Sequence, residues 1–255
     1  MTETMMTKTE LSGKAGYAIP CLYQIPPQAR RVVLACHGFG SSKDSGTNQE
    51  LWQALLPLGL GYLCFDFPGH GESRDEGLSL RIGNCLDDIA AAEVFALAQA
   101  PEAELCYFGS SFGAYLLSLY LALRPHQGQK AMLRCAAVTM PNLFEAEAAP
   151  EDLALLEAQG WCWVRGDYQR PFKVTPGFRR DLQTHDAFSL CRPDMAELLM
   201  IHGDADETAP LADAQAFAQR FKARLLVVAG ANHRFEGPGQ TGQVVAAAKA
   251  FFANA

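Results

Sequence analysis

The chain has 255 residues, 49% of them apolar and 19% charged, enough to bury a sizeable core in a single domain, residues 1–255. A net charge of −7 and the lack of any Lys/Arg block argue against nucleic acid and anionic membrane surfaces as partners. No apolar run nears the roughly 18 residues of a membrane helix, and the opening MTETMMTKTELSGKAG lacks the apolar stretch of a signal peptide.

Taken in chain order, short apolar runs alternate with longer helical patterns. A hairpin is expected over residues 5–25, followed by the strand RRVVLACHG and the helical spacing of NQELWQALLPLG. GYLCFDFPG reads as the next strand. RIGNCLDDIAAAEVFALAQA reads as a helix with Leu86, Ile89, Ala90, Val94 and Leu97 on one face. The strand ELCYF leads into the helix SFGAYLLSLYLALRP, where Leu116, Leu119, Tyr120 and Leu123 recur, and then comes the strand LRCAAVTMP, ending at Met140. The series closes with the strand LLMIHG, the helix PLADAQAFAQRFKA, the strand RLLVVAG and the helix QVVAAAKAFFANA. Strands that are apolar throughout, separated by helices, imply a parallel sheet covered on both faces. Such sheets carry their sites just past the carboxyl ends of the strands.

Residues 142–190 interrupt this rhythm with a connection far longer than usual. They hold Phe144, Trp161, Trp163, Tyr168, Phe172, Phe178 and Phe188. Two compatible readings follow: a lid that shapes a substrate pocket, or a helix-and-hairpin insert with a small core of its own.

Past the strands stand the residues able to do chemistry. Gly109, Ser111 and Gly113 fit Gly-x-Ser-x-Gly, in which the middle serine sits on a sharp strand-to-helix turn, so Ser111 rather than Ser110 is the candidate nucleophile. His37-Gly38-Phe39-Gly40, Asp66-Phe67-Pro68-Gly69-His70, His202-Gly203-Asp204-Ala205-Asp206 and Ala231-Asn232-His233 follow four other strands. A serine hydroxyl needs a base within hydrogen-bond reach. Lys43 stands where a dinucleotide fingerprint would need its third glycine, and no phosphate loop, metal-spaced histidine pair or calcium loop occurs, so no cofactor and no metal is expected. Cys36, Cys64, Cys106 and Cys135 lie within apolar runs and no Cys-x-x-Cys pair occurs. The eight cysteines are therefore expected to be reduced and buried, which suits a cytoplasmic location.

Along nearly its whole length the sequence resembles the α/β-hydrolase superfamily, on the motifs HGFG, DFPGHGES, GSSFG, HGDADETAP and GANHRF in that order. HGFGSSK, DFPGHGES and an insert before the acid further resemble the bacterial cinnamoyl and feruloyl esterases. The resemblance implies an α/β fold with a mostly parallel central sheet flanked by helices and a small lid, residues 142–190. It implies a triad in the chain order serine, acid, histidine, with His233 as base, and among Asp204 and Asp206 its pattern points to Asp206. It places the oxyanion hole at the backbone N–H groups of Phe39 and Phe112. Trp161, Trp163, Tyr168 and Phe172 are then candidate contacts for a planar or hydrophobic small-molecule ester. The expected function is a serine-dependent carboxylic ester hydrolase. An acyl-thioesterase or a serine aminopeptidase of the same fold, or a non-catalytic ligand-binding relative, are the alternatives.

Overall fold

The apolar runs line up as the strands of one sheet. The computed structural model describes residues 6–166 and 168–253; Met5, where the expected hairpin begins, lies outside them. β1 (Thr7–Ser12) and β2 (Ala18–Gln24) form the antiparallel hairpin, followed by β3 (Arg31–Cys36), α1 (Gly46–Leu55), β4 (Gly61–Phe65) and α2 (Ile82–Gln99). Next come β5 (Glu104–Ser110), α3 (Phe112–Leu123) and β6 (Lys130–Arg134). The insert then supplies α4 (Met140–Glu147), α5 (Pro150–Gln159), the hairpin β7 (Cys162–Val164) and β8 (Phe172–Val174), α6 (Pro176–Thr184) and α7 (Ala187–Leu190). β9 (Glu197–Gly203), α8 (Leu211–Phe221), β10 (Arg224–Val228) and α9 (Gln240–Ala253) complete the order. The sheet runs β1-β2-β4-β3-β5-β6-β9-β10; β2 pairs antiparallel with β1 and β4, and every other pairing is parallel.

Successive residues of a strand face opposite sides, so each strand feeds two cores. Val33, Ala35 and Phe108 pack with Leu51 and Leu55 of α1 and with Val244 and Phe252 of α9. Val32, Leu34 and Tyr107 pack with α2, α3 and the insert's Phe172 and Phe178. α3 is buried nearly all round, and residues such as Leu116 and Leu119 each contribute about 1.5–3 kcal/mol by leaving water. Among the described residues no helix is long and apolar enough to cross a membrane. All eight cysteines are buried and unpaired.

Three expectations are corrected. The strand expected to end at Met140 is β6, which stops at Arg134; Met140 begins α4. β5 ends at Ser110 and turns into a helix, so β6 loses its ladder partner there and Cys135 turns away with φ +44°. On α2 the buried face runs through Cys85, Leu86, Ile89, Ala92 and Ala96, while Val94 is 70% exposed. β10 is a sheet edge, and Leu226 and Val227 are exposed rather than covered.

Candidate active site

The turn between β5 and α3 is tight because glycines flank it. A methyl group on Gly109 would collide with Ala114, and one on Gly113 with the carbonyl oxygens of Cys36 and His37. Ser111 takes up the strain with φ +53° and ψ −114°, a conformation that lifts its hydroxyl clear of the strand end. Its backbone N–H is tied to the Arg134 carbonyl oxygen at 2.8 Å.

Two loops from distant sequence meet that hydroxyl. His233, in the loop after β10, has Nε2 2.9 Å from Ser111 Oγ. Its Nδ1 lies 2.9 Å from both carboxylate oxygens of Asp206, in the loop after β9. A carboxylate at Nδ1 assigns the proton there, which leaves the Nε2 lone pair free to accept the serine proton. Asp206 also accepts the backbone N–H groups of Thr208 at 3.0 Å and Ala209 at 2.8 Å. Burial pushes its carboxyl up, but bonds from His202 and His233 outweigh that and hold it well below the usual carboxylate range. The shift favours the carboxylate form. The neighbouring acid, Asp204, instead accepts the Gly230 N–H at 2.6 Å.

The HGFG segment lies against Ser111: a Cβ on Gly38 would stand 3.3 Å from Ser111 Cβ. His37 fixes it. Its Nδ1 donates to the Gly38 carbonyl oxygen at 2.8 Å and its Nε2 accepts the Phe67 N–H at 3.1 Å. Burial drives its pKa down to about 4, so the ring stays neutral and both bonds persist at neutral pH. Phe112 supplies the first N–H of α3, where a helix has no carbonyl partner to offer. Phe39 follows Gly38 on the facing loop, and its ring stands 5.4 Å from that of Phe112.

A cavity of about 380 Å³ opens over Ser111 and His233. Of the four insert aromatics expected around it, Tyr168 alone lines it. Trp161 and Trp163 meet edge to face and flank the Lys173 ammonium, 4.6 and 5.0 Å from their rings, away from the cavity. Phe172 is fully buried behind the wall, against Phe39 at 4.9 Å and His70 at 4.4 Å. The apolar wall comes from α4 instead. Met140, Leu143, Phe144 and Glu147 line the cavity at the i, i+3, i+4, i+7 spacing of one helix face, a period visible in MPNLFEAE. Arg134, inside the apolar run LRCAAVTMP, also lines the cavity. Cys135, His202 and Asp206 bring possible ligand atoms within 4.8 Å of one another. Of these groups, His202 Nε2 faces the Ala209 carbonyl oxygen at 2.8 Å and Asp206 holds His233.

The profile of a family described as serine aminopeptidase, S33, matches residues 27–189. No curated protein matches the sequence. Among solved structures, Est1E from Butyrivibrio proteoclasticus with ferulic acid bound superposes with a TM-score of 0.82 at 19% identity, over 96% of this chain and 97% of that one. The esterase domain of a Rhodothermus marinus protein gives 0.76 at 20% identity, over 98% of each chain. The mouse alpha/beta hydrolase domain-containing protein 10 gives 0.73 at 16% identity, over 96% of this chain and 98% of that one. Likeness at this level of identity shows the fold, which is that of the α/β-hydrolases.

Proposed function

The chain belongs to the serine aminopeptidase S33 family of α/β-hydrolases, and from that premise we propose that it is a serine-dependent carboxylic ester hydrolase acting through an acyl-enzyme. The observation that carries this reading is the unbroken relay from Ser111 Oγ to His233 Nε2 and from His233 Nδ1 to Asp206, each step 2.9 Å. His233 takes the serine proton as Oγ attacks the acyl carbon, and the imidazolium that forms is stabilised by the charged Asp206. The Phe39 and Phe112 N–H groups receive the oxyanion; one such donor is worth about 3–4 kcal/mol of barrier. His233 then protonates the leaving alcohol, and water, activated by the same ring, releases the acid.

The α4 face, Phe39 and Tyr168 suit a planar or hydrophobic group of a small-molecule ester, in keeping with the feruloyl and cinnamoyl esterase resemblance. Residues 142–190 are read as the lid that carries most of this wall. Eight buried thiols fit a reducing compartment such as the cytoplasm. A second reading, aminopeptidase action, is favoured by Glu147, a carboxylate on the cavity wall able to receive a peptide amine. Kinetics on methyl ferulate, 4-nitrophenyl acetate and an aminoacyl anilide separate the two. The ester reading expects kcat/KM on the anilide to be at least about a hundredfold lower, a barrier gap of roughly 2.7 kcal/mol. Efficient anilide cleavage with negligible ester turnover would establish the peptidase instead.

A further inference from the structure

The cavity lining is of two kinds. Besides the apolar α4 face it includes Ser45, Thr47 and Asn48 at the start of α1, together with Ser110 and Arg134. Arg134 is only 6% exposed. Its Nη1 donates to Ser110 Oγ at 2.7 Å and its Nη2 to the His233 carbonyl oxygen at 3.1 Å, while the Phe235 ring lies 4.9 Å from Cζ. These contacts fix the guanidinium in place, yet all of them are to neutral groups.

Its charge is left over. Among the described residues no carboxylate pairs with Arg134, and its Nε is buried with no hydrogen-bond partner. Asp206 reaches it only through space. An arginine tie between Ser110 and the His233 loop needs two N–H groups and no charge, whereas a guanidinium offers five donors and does not give up its proton. A buried cation without an anion is costly, and proteins seldom keep one unless a ligand completes it. The lining also includes the start of α1, a ten-residue helix that begins at Gly46 and carries the positive end of its dipole there. Among the described residues Glu147 is the one carboxylate that lines the cavity, and it belongs to α4.

We propose that this arm of the cavity binds a carboxylate of the substrate, so that the preferred esters are half-esters of dicarboxylic acids, with the free carboxylate held by Arg134 beside Ser110. The planar fork of a guanidinium matches a carboxylate in two parallel bonds. This rests on the ester hydrolase reading and specifies its substrate class.

The test compares three esters on the full chain: the mono-4-nitrophenyl ester of glutaric acid, its carboxamide counterpart from glutaramic acid, and 4-nitrophenyl acetate. In the wild-type protein kcat/KM for the glutarate half-ester should exceed that of the carboxamide by about tenfold, the scale of a charge-assisted bond. Arg134→Met should bring that ratio close to one, and Arg134→Lys should keep part of it, whatever each does to acetate turnover. A wild-type ratio at or below one, or the same ratio in Arg134→Met, overturns the inference while acetate turnover leaves the ester hydrolase reading standing. Failure to hydrolyse any of the three, acetate included, overturns the ester reading and this inference with it. If Arg134→Met does not fold, free glutarate and glutaramide decide as inhibitors of acetate hydrolysis by the wild type. Glutarate should bind about tenfold tighter, and equal inhibition constants contradict the proposal.

Discussion

Asp204 and Asp206 stand two residues apart, and their carboxylates serve different loops: Asp206 holds the His233 ring, whereas Asp204 closes on the Gly230 amide. Asp206→Asn should therefore cut kcat by on the order of 10⁴, because an amide no longer fixes the imidazole tautomer. Asp204→Asn keeps an acceptor for Gly230 and should cost less than about tenfold, the scale of one weakened surface hydrogen bond. Ester kinetics on both variants, with circular dichroism to verify folding, decide this. A larger loss in Asp204→Asn would put the acid at the wrong position.

The side chain of Lys43 is 1% exposed, and its ammonium meets Asp66 at 3.1 Å, Glu72 at 2.9 Å and Asp44 at 2.6 Å. Asp66 in turn accepts the backbone N–H groups of Lys43 and Glu72, so it ties the loop after β3 to the loop after β4. Lys43→Met leaves Asp66 buried without its cation and should cost about 3–5 kcal/mol in urea unfolding. Adding Asp66→Asn should cost less than the two single losses combined, since the stranded charge is gone. A Lys43→Met variant within about 1 kcal/mol of wild type contradicts this account.

Asp88 is fully buried; Tyr17 donates to its Oδ2 at 2.7 Å and its Oδ1 has no partner. Burial pushes this carboxyl up from 3.8 to about 8, with the Tyr17 bond opposing the rise. The folded state thus keeps a proton that the unfolded chain gives up near pH 4. Stability from this group is fully present below that pH and is lost as pH rises through about 8. Asp88→Asn keeps an acceptor for Tyr17 without the titration. Between pH 5 and pH 9 the variant should gain on the order of 2–4 kcal/mol relative to wild type, read from urea midpoints. Parallel pH profiles for the two proteins would show that Asp88 is not the group responsible.

Thiol titration addresses the eight buried cysteines. Burial pushes several of the thiols up, Cys21 and Cys106 to about 12, so a disulfide reagent should react slowly with the native protein. After unfolding it should count all eight. Four or more missing thiols would contradict the reduced core.

The parts of this site legible in the sequence are those whose chemistry demands a residue type at a strand end. Ser111 announces itself by the glycines on either side, and the strained turn explains why they must be there. Asp206 and His233 were legible by their order and the resemblance, and the folded chain brings both to Ser111. Composition cannot say which way an aromatic points. Trp161 and Trp163 lie in the insert as expected but embrace Lys173, while the cavity face belongs to α4. One charge inside LRCAAVTMP does not break an apolar pattern, so Arg134 is not legible as a site residue, although a charge within an apolar strand is itself a signal. His202 is in β9, and nothing in HGDADE says that its ring faces the acid four residues on, at 3.2 Å.

The central claim is that Ser111 is the nucleophile, and mass spectrometry of protein treated with a fluorophosphonate tests it most directly. One label should appear, on the peptide that carries Ser111, and it should persist in Ser110→Ala and vanish in Ser111→Ala. The latter variant should also lose activity by a factor on the order of a million, as loss of a triad nucleophile does. A label that survives Ser111→Ala, or that maps to Ser110, contradicts the account.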